Sequence, residues 1–394
     1  MISVEEAKKI IEANITPLTP VRVRLQEAAG KVLADDIYAS VDIPAFPQSS
    51  MDGYAFSFTA WKENKSLAVN GEVAAGDDRD LTLGLGDAAR IFTGAAVPSG
   101  ADTVVMQEKI KLVNGALIIE DDNLKPGANV RPRGSEIKAG ERAMGKSSFI
   151  SPAAIGFIAG IGITELLVYP KPSVSIIVTG KELQKPGNAL RYGQVYESNS
   201  FALTAALQQI GIDNISIKQV DDNLQDLKSV LNSCLENTEL VLLTGGISVG
   251  DYDFVWQAAT DCGVNQLFHK IKQRPGKPLY LGKKENKVVF GLPGNPSSVL
   301  SCFYQYVIPV IGKMSNNPFA LARKKVPLST SIQKPAGLTH FLKGYYDGLT
   351  VTPLNAQESY RLSSFARANC LIQLNEEVTA CVEGDSVEIH ILPS

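Results

Sequence analysis

Val174-Ser175-Ile176-Ile177-Val178-Thr179-Gly180-Lys181-Glu182 is the stretch that decides how this chain is read. A run that is apolar from Val174 to Val178 but for Ser175, and that stops at Thr179-Gly180, is the pattern of a strand buried on both faces. The pattern continues downstream. A helix is expected over 198–210, ending at Gly211, then a strand over 215–220 and a helix over 223–235. Strands at 240–243 and 288–290 follow, with helices at 254–259 and 296–311. Apolar strands alternating with helices imply an α/β layer with a mostly parallel sheet.

Other rules apply on either side of this layer. Residues 3–14 read as an amphipathic helix, because Ser3 and Glu6 form a capping box ahead of Val4, Ala7, Ile10 and Ile11. A second short helix is expected over 22–35, interrupted at Ala28-Ala29-Gly30. Residues 41–54, with Pro44, Pro47 and Asp52-Gly53, are expected to be an ordered loop without regular structure. From 54 to 140 short β-like pieces (68–73, 88–92, 103–106, 110–113 and 116–119) alternate with turns, and Asn114-Gly115 signals a hairpin. A helix at 151–162 would pack back on the N-terminal helices, making the β-rich part an insertion. Residues 323–394 return to short strands, consistent with a small β domain.

Composition narrows the function classes. With 394 residues the chain is long enough for about two to four domains. Lys plus Arg number 38 against 41 Asp plus Glu, a net charge of −3 that argues against a general nucleic-acid binder. The five cysteines include no C-x-x-C pair, which fits a reducing, cytoplasmic compartment better than a disulfide framework. The three histidines stand apart, so a His-rich metal site is not expected. No apolar run has the length of a membrane span, and the acidic N-terminus lacks the apolar core of a signal peptide.

In an open parallel sheet, ligands bind beyond the carboxyl ends of the strands. The loops expected there carry five carboxylates: Glu182, Asp221, Asp222, Asp251 and Asp253. Oxygen ligands of this kind suit magnesium. Gly245, Gly246 and Gly250, around Ser248, permit close backbone approach to a ligand. Asn295 and Pro296 suit the N-cap and first position of a helix, whose free N–H groups would face an anion. Lys277 and Arg274, with Ser297 and Ser298, are candidate donors to an oxyanion. The combination suggests a phosphate-bearing ligand with a divalent cation. Neither a P-loop nor G-x-G-x-x-G is present, so an NTPase or dinucleotide oxidoreductase is disfavoured.

The segment 244–250 with Asp251 and Asp253, followed by Pro275-Gly276-Lys277-Pro278 and residues 291–296, resembles the MoaB/MogA-type molybdopterin-binding domain. Pro44-Ala45-Phe46-Pro47-Gln48-Ser49-Ser50-Met51-Asp52-Gly53-Tyr54-Ala55 and Arg90-Ile91-Phe92-Thr93-Gly94-Ala95-Ala96-Val97-Pro98 narrow the resemblance to the MoeA family, related to the E domain of gephyrin. It spans essentially the whole chain.

The resemblance implies a four-part fold: a split N-terminal segment (1–40 plus 141–170), an inserted β-rich domain (41–140), a MoaB/MogA-like α/β domain (171–315) and a C-terminal β-barrel (322–394). It implies a magnesium-dependent enzyme that inserts molybdenum from molybdate into adenylated molybdopterin and releases AMP. A homodimer with composite sites is implied, together with a MogA-type adenylyltransferase as functional partner. By motif, Asp52, Thr93, Glu182, Asp221 and Asp253 are carried over as catalytic positions. The first two reach the site of the other subunit in the family. Glu182, Asp221, Asp251 and Asp253 are the candidate metal ligands. Pro293, Gly294 and Pro296 shape the helix-start loop, and Arg367, like Arg361, is an anion-binding candidate. The sequence departs from the family at Arg274, where lysine is common, at Gln357–Arg361, where a glycine-rich stretch is usual, and at Cys370, which replaces a glycine. An adenylyltransferase acting on molybdopterin and a non-catalytic scaffold are the competing readings. The additional domains with Asp52 and Thr93, and the retained acids, favour the transferase.

Overall fold

The computed structural model describes residues 1–221, 223–245, 254–317 and 319–393. They fall into two compact units, one built from 1–21, 30–32 and the chain from 168 onward, the other from 22–29 and 33–167.

The first unit is organised on a six-stranded sheet in the order Ile215–Val220, Val174–Thr179, Leu240–Thr244, Lys287–Leu292, Tyr280–Lys284, Asn265–His269. The first four strands are parallel, with Val174 opposite both Ile215 and Leu240, and Leu240 opposite Val288. Tyr280–Lys284 pairs antiparallel with both Lys287–Leu292 and Asn265–His269, and neither Tyr280–Lys284 nor Asn265–His269 was anticipated. Every residue of Val174–Thr179 and Leu240–Thr244 is buried, because helices cover both faces. Alternation sorts their side chains. Val174, Ile176, Val178, Leu240, Leu242 and Phe290 face Leu203, Leu207 and Tyr306, as well as Val4, Ala7 and Ile11 of the helix Val4–Asn14. Ile177, Val241, Leu243 and Val289 face Leu227, Leu231, Leu235, Val255 and Ala258. Each such aliphatic side chain contributes roughly 1.5–3 kcal/mol when taken out of water.

The expected capping box is present: Ser3 Oγ accepts the Glu6 N–H at 3.1 Å, and Glu6 accepts the Ser3 N–H at 2.7 Å. The long C-terminal helix of the layer runs through Pro296–Cys302, a π-turn at Phe303–Val307 and Ile308–Met314. The widened turn lies where Pro309 cannot donate to the preceding turn. The strand Gln273–Arg274 leaves this layer to pair in parallel with Thr339–Tyr346 of the C-terminal β domain, Arg274 opposite His340. That domain closes over Val326, Leu328, Val351, Ile372, Leu374, Val387 and Ile389.

The second unit holds a six-stranded sheet ordered Thr103–Met106, Gly53–Phe56, Asp87–Ile91, Leu67–Val73, Ala116–Ile119, Ile110–Val113. Asn114 (φ 51°) and Gly115 (φ 80°) make the expected hairpin turn. Two expectations are corrected. Residues 22–35 hold no α-helix: Val21–Arg24 is a strand, Leu25–Glu27 a single 3-10 turn and Val32–Leu33 a strand. The alternation in Val21-Arg22-Val23-Arg24 has the strand period of two, which outweighs the helix-forming residues after it. The loop 41–54 also contains regular pieces, since Gln48–Ser49 pairs with Val130–Arg131 and Gly53-Tyr54 open a central strand. Glycine is required at position 53 because a Cβ there would collide with the Val105 carbonyl oxygen. The helix Phe58–Asn64, capped by Ser57, was not anticipated.

Candidate functional site

Because the four parallel strands share register, their carboxyl ends at Thr179, Val220, Thr244 and Leu292 lie along one edge of the sheet. Here Gly245 (φ +85°) passes so close to Thr179 that a Cβ would collide with the Thr179 carbonyl oxygen. Gly180 has a similar constraint, since an added Cβ would sit 2.9 Å from Glu182 Oε2. The Glu182 carboxylate is thus folded against the Gly180 backbone at the strand's end. Asn199, at the start of Asn199–Gln209, donates its amide to the Gly294 carbonyl at 2.9 Å and ties together two of the segments that follow these strands.

A cleft of about 910 Å³ opens at this edge. Of the residues expected at the site, Glu182, Arg274, Lys277, Pro293, Gly294, Asn295, Pro296 and Ser298 line it. Arg274 and Lys277 are exposed, and among the described residues neither is paired with a carboxylate. The peptide between Arg274 and Pro275 is cis, and Gly276 follows at φ +84°. Both cations line the cleft. Gly245, Asp221, Ser297 and Arg367 do not line the cleft. Asp221 stands ahead of Asn223, whose side chain caps Leu224–Asn237 on the Gln225 and Asp226 N–H groups. Arg367 lies on the short turn Phe365–Arg367. Gly246, Ser248, Gly250, Asp251 and Asp253, like Asp222, fall outside the described residues.

The helix start differs from expectation. Asn295 holds the N-cap position, but its amide donates to Ser359 Oγ at 2.8 Å instead of its oxygen capping the helix. The Ser297 N–H, one of the groups expected to face an anion, donates to the Ser359 carbonyl at 3.0 Å. Ser297 Oγ is buried and has no hydrogen-bond partner among the described residues.

Gln357-Glu358-Ser359-Tyr360, singled out in the sequence only as a departure from the family's glycine-rich stretch, also lines the cleft. Lys343 holds it. Only 2% exposed, Lys343 donates through Nζ to the carbonyls of Ala356 (2.7 Å), Arg361 (3.1 Å) and Glu358 (3.4 Å). Burial pushes its amine below the usual lysine range. Gln357 adds a two-way clasp, accepting the Lys343 N–H at 3.0 Å and donating to the Lys343 carbonyl at 2.8 Å. The available signal was a lysine two residues after Phe341 in a strand, on the face that Phe341 buries. Glu197, also in the cleft wall, was missed. It is 8% exposed and accepts the Ser200 N–H at 2.8 Å and hydroxyl at 2.5 Å.

In the second unit Asp52 Oδ1 accepts both the N–H and the hydroxyl of Thr93, each at 2.8 Å. The Thr93 N–H, then its hydroxyl, hold the Asp52 carboxyl below the usual range. The two motifs carrying these residues are thus joined in space by neighbouring strands, Gly53–Phe56 and Asp87–Ile91.

Among the described residues no three His, Cys, Asp or Glu side chains cluster to hold a metal ion. The donor chemistry of the cleft still fits magnesium, which binds through one or two carboxylates together with substrate phosphate oxygens and water. Glu182 supplies such a carboxylate. All five cysteines are free; burial pushes the Cys302 thiol up to about 12, away from nucleophilic use. Among the described residues no helix is long and apolar enough to cross a membrane.

Three family models match in sequence order: the MoeA N-terminal region (domain I and II) over residues 2–162, a probable molybdopterin binding domain over 175–313, and the MoeA C-terminal region (domain IV) over 325–392. A molybdopterin molybdenumtransferase of Haemophilus influenzae is 32% identical over 402 residues, covering 99% of this chain and 98% of the relative. One from Nostoc is 37% identical over 388 residues, covering 94% and 88%. The crystal structure of the molybdopterin biosynthesis MoeA protein of Pyrococcus horikoshii superposes with a TM-score of 0.86 at 28% identity, over all of both chains.

Proposed function

Because the chain belongs to the MoeA family of molybdopterin molybdenumtransferases, we propose that its cleft binds adenylated molybdopterin and molybdate, inserts molybdenum and releases AMP with magnesium. The enzyme is a transferase of molybdenum cofactor biosynthesis. The observation that carries the finer reading is the convergence of Arg274, Lys277, Ser298 and Glu182 on one cleft at the carboxyl edge of the sheet. A pyrophosphate-linked substrate and a tetrahedral oxyanion both need cationic and hydroxyl donors, and this wall offers two cations with no carboxylate partner among the described residues.

In this reading Arg274 and Lys277 neutralise the incoming molybdate, with Ser298 beside them as a hydroxyl donor. Arg274 offers a planar fork where the family commonly has lysine, so it can grip two oxygens at once. Pro293, Gly294, Asn295 and Pro296 shape the wall against the phosphoanhydride. Glu182 holds magnesium or positions the water, with Asp221, Asp251 and Asp253 as its candidate companions. Bound there, magnesium supplies charge neutralisation on the phosphate oxygens. Hydrolysis consumes one water and yields AMP and molybdopterin, while the two dithiolene thiols bond to molybdenum, their two protons leaving with a displaced molybdate oxygen as water. Asp52 and Thr93 act as a hydrogen-bonded pair that completes the site of a second copy in a homodimer. The adenylated pterin comes from a MogA-type adenylyltransferase in the cytoplasm. The split segment 1–40 plus 141–170, the insertion 41–140, the α/β domain 171–315 and the C-terminal domain 322–394 are the functional parts of this design.

The test uses purified protein with adenylated molybdopterin, molybdate and magnesium, following AMP and pterin-bound molybdenum together. The expected result is molybdate-dependent AMP release with metal transfer, abolished by EDTA and restored by magnesium. Tight pterin binding with neither product would leave a carrier or scaffold.

A further inference from the structure

Away from the cleft, a cavity of about 490 Å³ lies between the helix Val4–Asn14, the helix Ile308–Met314 and the segment leading into the strand Arg323–Pro327. Its walls carry three cations, Lys8, Lys313 and Arg323, against one carboxylate, Glu12. Lys313 is committed: its Nζ donates to Glu12 Oε1 at 2.6 Å and to the Glu12 carbonyl at 2.8 Å. Among the described residues Arg323 has one long ion pair, 3.7 Å to Glu388 Oε1, and that carboxylate is shared with His390 Nε2 at 2.9 Å. The Lys8 ammonium is the exception. Its Nζ is buried and has no hydrogen-bond partner among the described residues.

An ammonium removed from water without an acceptor is costly, so a group that supplied one would be held there. Burial and the Arg323 charge together pull the Lys8 pKa down to about 8, against the opposing pull of Glu5 and Glu388. At neutral pH the amine therefore remains mostly charged and short of a partner. Gln305, Asn316 and Asn317 add neutral polar groups to the wall, and Ile11, Pro17, Pro309 and Phe319 give it an apolar part. A cationic end and an apolar body in one enclosure select a ligand with the same division.

We propose that this cavity is a second binding site, for a small organic oxyanion whose carboxylate or phosphate group is held by Lys8 and Arg323 and whose apolar body lies against Ile11, Pro17 and Phe319. No residue of this cavity lines the transferase cleft.

Calorimetric titration with phenyl phosphate, benzoate and inorganic phosphate tests the proposal. At least one aryl probe should bind the wild-type protein, and Lys8→Met should weaken it at least about tenfold. Lys8→Arg should retain part of the affinity, and the double variant Arg274→Ala, Lys277→Ala should leave it unchanged. Preference for phenyl phosphate or benzoate distinguishes the two anion sources. Trace acetylation of wild-type Lys8 across pH gives a readout independent of any variant: bound probe should move its titration to higher pH. The proposal is overturned if no aryl probe binds at about 10 mM, if binding survives Lys8→Met, or if only the cleft variant abolishes it. Inorganic phosphate binding as tightly as phenyl phosphate would overturn the role of the apolar wall.

Discussion

The side-chain amide of Asn295 donates to the hydroxyl of Ser359 at 2.8 Å, while the Ser359 carbonyl accepts the Ser297 N–H at 3.0 Å. One residue of the C-terminal domain therefore holds both the loop and the first turn of the helix that form the cleft. Ser359→Ala removes the hydroxyl contact and keeps the carbonyl one. Its cost in stability should be about 0.5–1.5 kcal/mol. If the helix start shapes the oxyanion site, KM for molybdate should rise several-fold while the AMP-releasing turnover at saturation holds, and Ser359→Thr should restore KM. An unchanged KM in Ser359→Ala would show that this contact is structural only.

Lys343 makes a stronger claim on the same wall. Removing its amine leaves the Ala356, Glu358 and Arg361 carbonyls without their shared donor inside the protein. Lys343→Met, which keeps the apolar stem, should cost roughly 2–4 kcal/mol by urea unfolding, since hydrogen bonds to charged groups are worth more than neutral ones. Near-native stability would mean that water reaches the 356–361 segment and replaces the amine.

Asp52 and Thr93 can be separated from stability. Both lie at the surface, and the pair is held by two 2.8 Å hydrogen bonds to one carboxylate oxygen. Asp52→Asn keeps the shape and an acceptor, so the melting temperature should hardly move. Molybdenum insertion should fall at least about tenfold if the charge is used in the reaction. Thr93→Val should mimic it in part by removing the hydroxyl while sparing the backbone donor. Full activity in Asp52→Asn would make the pair a surface turn and nothing more.

What was legible in the sequence was what local periodicity records. The runs at 174–178 and 240–243 are buried on both faces, so apart from Ser175 they are apolar, and they were readable as strands. Asn114-Gly115 was readable because both residues accept positive φ. The strands Asn265–His269 and Tyr280–Lys284 escaped because Asn265 and Gln266 are polar and exposed on the edge strand, and Gly282, Lys283 and Lys284 break the apolar pattern of the strand beside it. For the site, loop chemistry identified the wall bearing Arg274 and Lys277. It could not identify Ser359 or Glu358, whose place depends on Lys343 folding a distant segment back across the helix start. That is tertiary information, and no spacing within either segment encodes it.

Acid stability tests a different part of the chain. His390 is 1% exposed, with Nδ1 against the Gln305 amide and Nε2 against Glu388 Oε1 at 2.9 Å. Burial outweighs the Glu388 contact and pulls its pKa from 6.5 down to about 4. The native imidazole is therefore neutral over a range in which the unfolded one is protonated. Below about pH 6.5 the unfolded state binds the extra proton, so stability falls with pH until about 4, where the native group titrates too. Between those limits this residue alone should account for a loss of about 3 kcal/mol. Urea midpoints measured from pH 7.5 to 4 should fall more steeply for the wild type than for His390→Gln, which cannot titrate. Lys8 and Arg323 also bear on His390, and both disfavour its protonated form. Filling the neighbouring cavity with an anion should therefore raise the His390 pKa and make the wild-type slope shallower, a change that the Lys8→Met variant should not show. Parallel slopes for wild type and His390→Gln would mean that the imidazole remains accessible to solvent protons in the native state.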